Sequence, residues 1–164
     1  MSDAPLNRFA TITLLIGIPG AGKTTWVKEY KKKHPTIFIV STDEIREKLF
    51  GTIICDPLQN EEVYNEAIKE VKEIMDIPVK TGFGPEIIID STNVDINLWR
   101  RYKDLNPYLM FARIFLTPPE EAEKRMEKRS YKVSKEIINE KWNELQKNLK
   151  YLKFFFNIII PHEN

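Results

Sequence analysis

Gly17-Ile18-Pro19-Gly20-Ala21-Gly22-Lys23-Thr24 is the stretch from which the rest of the chain can be read. It meets the phosphate-loop pattern GxxxxGK[ST] at every specified position. An apolar, β-branched run over residues 9–16 precedes it, and the helix-compatible Thr25-Trp26-Val27-Lys28-Glu29-Tyr30 follows. Strand, glycine turn, helix is the context the motif requires. The glycines let successive N–H groups point into one concavity, and the positive end of the following helix faces the same spot. Gly17, Pro19, Gly20, Ala21, Gly22, Lys23, Thr24 and Thr25 are therefore the expected nucleotide-binding residues. Lys23 would reach the β- and γ-phosphates of ATP, and the Thr24 hydroxyl would ligate Mg²⁺. The lysine is expected to face solvent before nucleotide arrives.

A dinucleotide turn is the neighbouring reading, because Gly20 and Gly22 have the first G-x-G spacing and Asp43 lies about twenty residues on. Thr25 stands where that fingerprint needs a third glycine or alanine for close helix packing. The Lys-Thr pair is also surplus to a dinucleotide turn, and both facts favour the phosphate loop.

Composition narrows the remaining classes. The 164 residues suffice for one domain, with 42% hydrophobic and 30% charged residues, as in a globular protein. Net charge is +1, so the chain lacks a strong overall cationic field and any nucleic-acid contact must be local. Cys55 is the only cysteine, which excludes an internal disulfide and suits a reducing compartment. The first eight residues are polar, and the apolar run over 154–160 is too short to span a bilayer. The expectation is a cytoplasmic protein without a membrane segment; composition says nothing of oligomeric state.

Strands are expected over 9–16, 36–40, 86–90, 108–116 and 154–160, and helices over 22–33, 41–50, 60–75, 95–104, 118–129 and 134–151. Asn60, Asp95, Thr117 and Ser134 are the expected N-caps, with Thr117-Pro118-Pro119-Glu120 a capping box. This alternation implies an α/β, three-layer P-loop NTPase fold: a five-stranded parallel sheet and a helical lid at about 118–135, one domain over 1–164. A ligand then belongs at the carboxyl ends of the strands, where the polar clusters fall.

Asp43 directly follows the second strand and could take a proton from an attacking hydroxyl; as a first-turn acid it would also suit the helix dipole. Arg46, three residues on, shares its helical face and could bind an anionic acceptor group or pair with Asp43. Arg125 and Arg129 are four apart, where like charges repel by a few tenths of a kcal/mol unless an anion joins them. An ATP-bound lid supplies that anion. The helix carrying them has only Ala122 and Met126 as aliphatic residues, so it is expected to bury little and to be mobile. Asp90-Ser91-Thr92-Asn93 follows the third strand, and Asp90 there could be a magnesium-binding acid of Walker-B type. No guanine-reading NKxD sequence occurs.

These pieces, in this order over about residues 9–150, resemble the kinase domain of phage polynucleotide 5′-kinase and its small P-loop relatives, among them zeta toxins and archaeal seryl-tRNA kinase. The resemblance implies ATP-dependent phosphoryl transfer to a hydroxyl, with a 5′-hydroxyl DNA or RNA end as acceptor. It implies Asp43 as general base, Arg46 on the acceptor's phosphate, and Arg125 and Arg129 as lid arginines. Asp90, Thr92 and Asn93 would line the acceptor side, so Asp90 is left with two possible roles. Polynucleotide kinases of this type carry arginine just before the base, where this chain has Thr42, and the DxDGT sequence of their fused phosphatase is absent.

Overall fold

The structure is a computed structural model that describes residues 9–54, 57–78 and 83–163. Cys55 and the middle of the turn expected before the third strand lie outside the described residues. Five parallel strands form one sheet in the order β2-β3-β1-β4-β5. They are β1 (Thr11–Ile16), β2 (Phe38–Ser41), β3 (Glu86–Asp90), β4 (Leu109–Ile114) and β5 (Ile158–Pro161). β1 is central, with Thr11 level with Glu86 on one side and Leu109 on the other. Its residues are nearly all apolar or β-branched, as a strand covered on both faces demands.

The period-2 alternation of the strands divides the core. Ile12, Leu14, Ile16, Ile87, Ile89, Met110 and Ala112 face one layer, with α3 (Pro57–Met75), α4 (Ile96–Lys103) and the short α7 (Leu152–Phe155). α3 contributes Val63, Ala67, Val71 and Met75, four residues apart and all buried. On the opposite face, Leu15 and Ile88 meet α1 (Lys23–Lys33), α5 (Pro119–Met126) and α6 (Lys135–Asn148). α2 (Thr42–Phe50) continues directly from β2. Among the described residues, no helix is long and apolar enough to cross a membrane.

Several boundaries differ from the sequence expectation. α3 starts at Pro57, so Asn60 sits within its first turn instead of capping it. Pro118, not Thr117, is the N-cap of α5. Pro119 forces its predecessor into extended backbone (φ −62°, ψ 153°), and this moves the helix start one residue on. The Thr117 hydroxyl is thereby released to donate to the Ala21 carbonyl at 3.2 Å. α5 stops at Met126, three residues short of Arg129. At the carboxyl end, Phe154 and Phe155 belong to α7 and Phe156 packs edge-on against buried Trp99, so β5 begins only at Ile158. An apolar run of this length does not separate strand from helix by periodicity. Asp95 and Ser134 are N-caps as expected, accepting from Asn97 N and Ile137 N, and Ser41 caps α2, accepting from Glu44 N.

Candidate active site

The loop after β1 closes over the carboxyl edge of the sheet. Gly17 N donates to Thr92 O at 3.1 Å, tying it to the segment after β3. Gly20 and Gly22 have φ of 83° and 96°, a region other residues enter only with strain. A Cβ on Gly20 would lie 2.5 Å from the carbonyl oxygen of Ala122 in α5, so the loop backbone passes directly under that helix. No side chain caps α1, whose N-cap is Gly22, so its first N–H groups are left for a phosphate.

Lys23 departs from expectation. It is only 7% exposed, and its ammonium folds back on its own loop, donating to Gly17 O at 2.7 Å and Ile18 O at 2.8 Å. Burial lowers its pKa to about 8, with the charge of Asp90 opposing the drop. The unfolded lysine, near 10.5, then holds its proton more tightly than the folded one. Below about pH 8 the whole penalty of the buried ammonium stands; between about 8 and 10.5 the unfolded state binds more protons, so rising pH favours the fold. Denaturation of wild type and Lys23→Met across pH 7–10.5 should show the difference moving toward wild type by up to about 3 kcal/mol. A constant difference would mean that the lysine reaches solvent.

Thr24 Oγ1 donates to Asp90 Oδ2 at 2.9 Å. Burial raises the Asp90 pKa, while this bond and Lys23 hold it down. One hydroxyl and one carboxylate form an all-oxygen donor pair, which suits an ion such as Mg²⁺ that keeps several of its waters. The residues present therefore fit a nucleotide–magnesium complex.

Across the cavity, Asp43 at the start of α2 is held from two sides. Its Oδ1 pairs with Arg46 Nη1 at 2.9 Å, one turn along the same helix. Arg46 Nη2 also donates to Asn60 Oδ1 at 3.0 Å, so the residue expected to cap α3 instead anchors the arginine. Asp43 Oδ2 accepts from the Tyr131 hydroxyl at 3.2 Å, and Arg129 Nη1 donates to the same hydroxyl at 3.0 Å. Thr42 is buried, with its hydroxyl donating to Ser91 Oγ at 3.0 Å.

One cavity of about 460 Å³ connects Pro19, Gly20, Ala21, Gly22, Lys23 and Thr24 of the loop with Asp43, Arg46, Asp90, Thr92, Asn93 and Arg129. Gly17, Thr25 and Arg125 do not line it. A side chain on Gly17 would meet Phe115 Cβ at 2.8 Å, and Thr25 points outward and is exposed. Arg125 pairs with Glu121 at 3.1 Å and reaches Ala21 O at 3.4 Å. Because α5 ends at Met126, Arg125 and Arg129 do not share a continuous helical face, and only Arg129 turns toward Asp43. Asn93 lines the cavity but commits its amide nitrogen inward, to Leu15 O, Ile89 O and Ser91 O; its buried Oδ1 has no partner among the described residues. Tyr131 was not singled out in the sequence, where a tyrosine between two helices carries no motif. Arg101 of α4 pairs with Glu61 of α3 at 3.1 Å.

A family model described as an AAA domain matches residues 12–152. A chain of the Pnkp1/Rnl/Hen1 RNA repair complex superimposes with a TM-score of 0.71 at 22% identity, over 87% of this chain and 46% of that one. This chain thus spans less than half the length of that repair protein. A gluconokinase from Sinorhizobium meliloti 1021 matches with TM-score 0.62 at 9% identity, over 94% of this chain and 82% of its own. Shikimate kinase from Acinetobacter baumannii in complex with shikimate gives 0.60 at 13%, over 94% and 84%. At these identities the likeness is one of fold, and the fold is P-loop kinase-like.

Proposed function

The chain belongs to the AAA domain family, and from that premise we propose that it is an ATP-dependent kinase that phosphorylates the 5′-hydroxyl of a DNA or RNA end. The observation that carries the reading is the placement of Asp43, a clamped carboxylate facing the phosphate loop across one cavity. Binding a nucleotide needs no such group, whereas activating an alcohol does.

In this reading Lys23 leaves the Gly17 and Ile18 carbonyls for the β- and γ-phosphates, where its charge is better satisfied. Thr24 and Asp90 would hold Mg²⁺, which would supply positive charge against the phosphates. The acceptor oxygen attacks the γ-phosphorus as Asp43 takes its proton; the bond to the β,γ-bridging oxygen breaks and ADP leaves. Arg129 stabilises the transferring group, and Arg125 joins it by leaving Glu121 and the Ala21 carbonyl, its partners outside the cavity. Arg46 meets a phosphate of the acceptor, with Thr92 and Asn93 along the same wall. In this reading the chain is one kinase domain over 1–164, and the lid expected at about 118–135 is confined to the residues after Met126, because α5 is seated on the phosphate loop through buried Ala122 and Met126.

The polynucleotide acceptor is supported by the arginine beside the base and by the cationic rim of Arg46, Arg129, Lys132 and Lys141. A net charge of +1 limits the contacts to a few phosphates. A small-molecule alcohol is the second reading, favoured by the cavity volume, which falls in the range of small-ligand sites. The two separate on incubation with γ-labelled ATP, Mg²⁺ and either a 5′-hydroxyl oligonucleotide or a panel of nucleosides and sugars. Label is expected on the oligonucleotide. Label only on a small alcohol would discard the polynucleotide acceptor and keep the kinase.

A further inference from the structure

Two positively charged residues approach Asp43, one directly and one through an intermediary. Arg46 bonds Oδ1 itself. Arg129 reaches Oδ2 only by way of Tyr131, whose hydroxyl accepts from the guanidinium at 3.0 Å and donates to the carboxylate at 3.2 Å. The same guanidinium lies 5.9 Å from the centre of the Tyr131 ring. Tyr131 stands between α5 and α6, its ring half-buried beside the core that contains Met126 and Ile138. The ring is therefore anchored by packing, while Tyr131 also lines the cavity and its hydroxyl bonds Asp43 and Arg129 there. Burial and the nearby Asp43 charge push the phenol above its ordinary range, so it remains a donor at neutral pH.

We propose that Tyr131 is a positioning residue that links the nucleotide-side arginine to the base: it aligns Asp43 Oδ2 for the acceptor hydroxyl only while Arg129 holds it. This inference rests on Asp43 being the base. A carboxylate oxygen can accept two donors, so Tyr131 and an incoming hydroxyl can share Oδ2. Arg46, anchored by Asn60, fixes the other oxygen. With Tyr131 in place both oxygens of the carboxylate are held; without it the group is held through Oδ1 alone and can pivot about that contact, which moves Oδ2.

Tyr131→Phe keeps the ring and its packing and removes only the hydroxyl. The expected result is a fall of about 10-fold in kcat with the KM for ATP unchanged within about 2-fold, and an unaltered melting temperature. In an Asp43→Asn background the same change should cost less than about 2-fold, because the group being positioned is gone. An equal fall in both backgrounds would overturn the proposal while leaving Asp43 as base. Wild-type turnover in Asp43→Asn alone would instead remove the base reading and the proposal with it. A measurement free of turnover is the ¹³C carboxyl signal of Asp43. A non-hydrolysable ATP analogue with Mg²⁺ should displace it in wild type and not in Tyr131→Phe; equal displacement in both overturns the link.

Discussion

Asp43→Asn lowers kcat by about 10²–10⁴ while leaving ATP affinity close to wild type. The asparagine keeps an oxygen for Arg46 and nearly the same shape, but it takes no proton from an alcohol. Its stability cost should be small. The capping oxygen of α2 comes from Ser41, which accepts from Glu44 N, so at the helix start Asp43 contributes a first-turn charge of about 0.3–1 kcal/mol, and asparagine keeps an acceptor for one of its two partners, Arg46 and Tyr131. Steady-state kinetics beside thermal melting decides the matter. Full turnover with a lowered melting temperature would make Asp43 a dipole-favoured helix acid and nothing more.

Lys23→Met should reduce transfer by at least about 10²–10³, the cost of losing one preorganised charge at a phosphoryl centre. Methionine fills the same buried space, so the fold persists even though two loop carbonyls lose their donor. The ammonium already sits within the loop, desolvated and bound to Gly17 O and Ile18 O. Much of the cost of drying it is therefore incurred before ATP arrives, and the phosphates exchange one set of acceptors for a better one. Near-normal turnover of this variant would remove the foundation of the kinase reading.

The loop-strand-helix grammar of the sheet was legible because each signal was local. Gly17 to Thr24 fixed β1 and α1, the β-branched runs fixed the buried strands, and serine or aspartate marked three helix starts. What failed were cases where a neighbour in space overrode the local rule. Thr117 looked like a cap, but the second proline moved the helix start and the hydroxyl went to Ala21. Asn60 looked like a cap, yet its oxygen is taken by Arg46 from α2. Lys23 was expected to face solvent, yet its ammonium is taken by the Gly17 and Ile18 carbonyls, acceptors that the curl of the loop brings to it and that no motif names. Arg125 and Arg129 were paired by spacing, a rule that lapses once the helix ends between them. Tyr131 was missed for a similar reason: its partners Asp43 and Arg129 meet only in the folded cavity.

The contact between the loop backbone and α5 at Gly20 bears on how such a site could open. Ala122 and Met126 are fully buried and Gly20 lies against the Ala122 carbonyl, so the first two turns of α5 and the phosphate loop form a single block. A helix seated this way is a hinge post and not a door. Any swing that preserves these contacts starts after Met126 and carries Arg129 and Tyr131 with it toward α6. The moving part is then a short strap of residues 127–134, whose two ends are pinned to the same face of the sheet. Such a strap has little room to travel, and the difference between open and shut would be a matter of side-chain reach more than of domain motion.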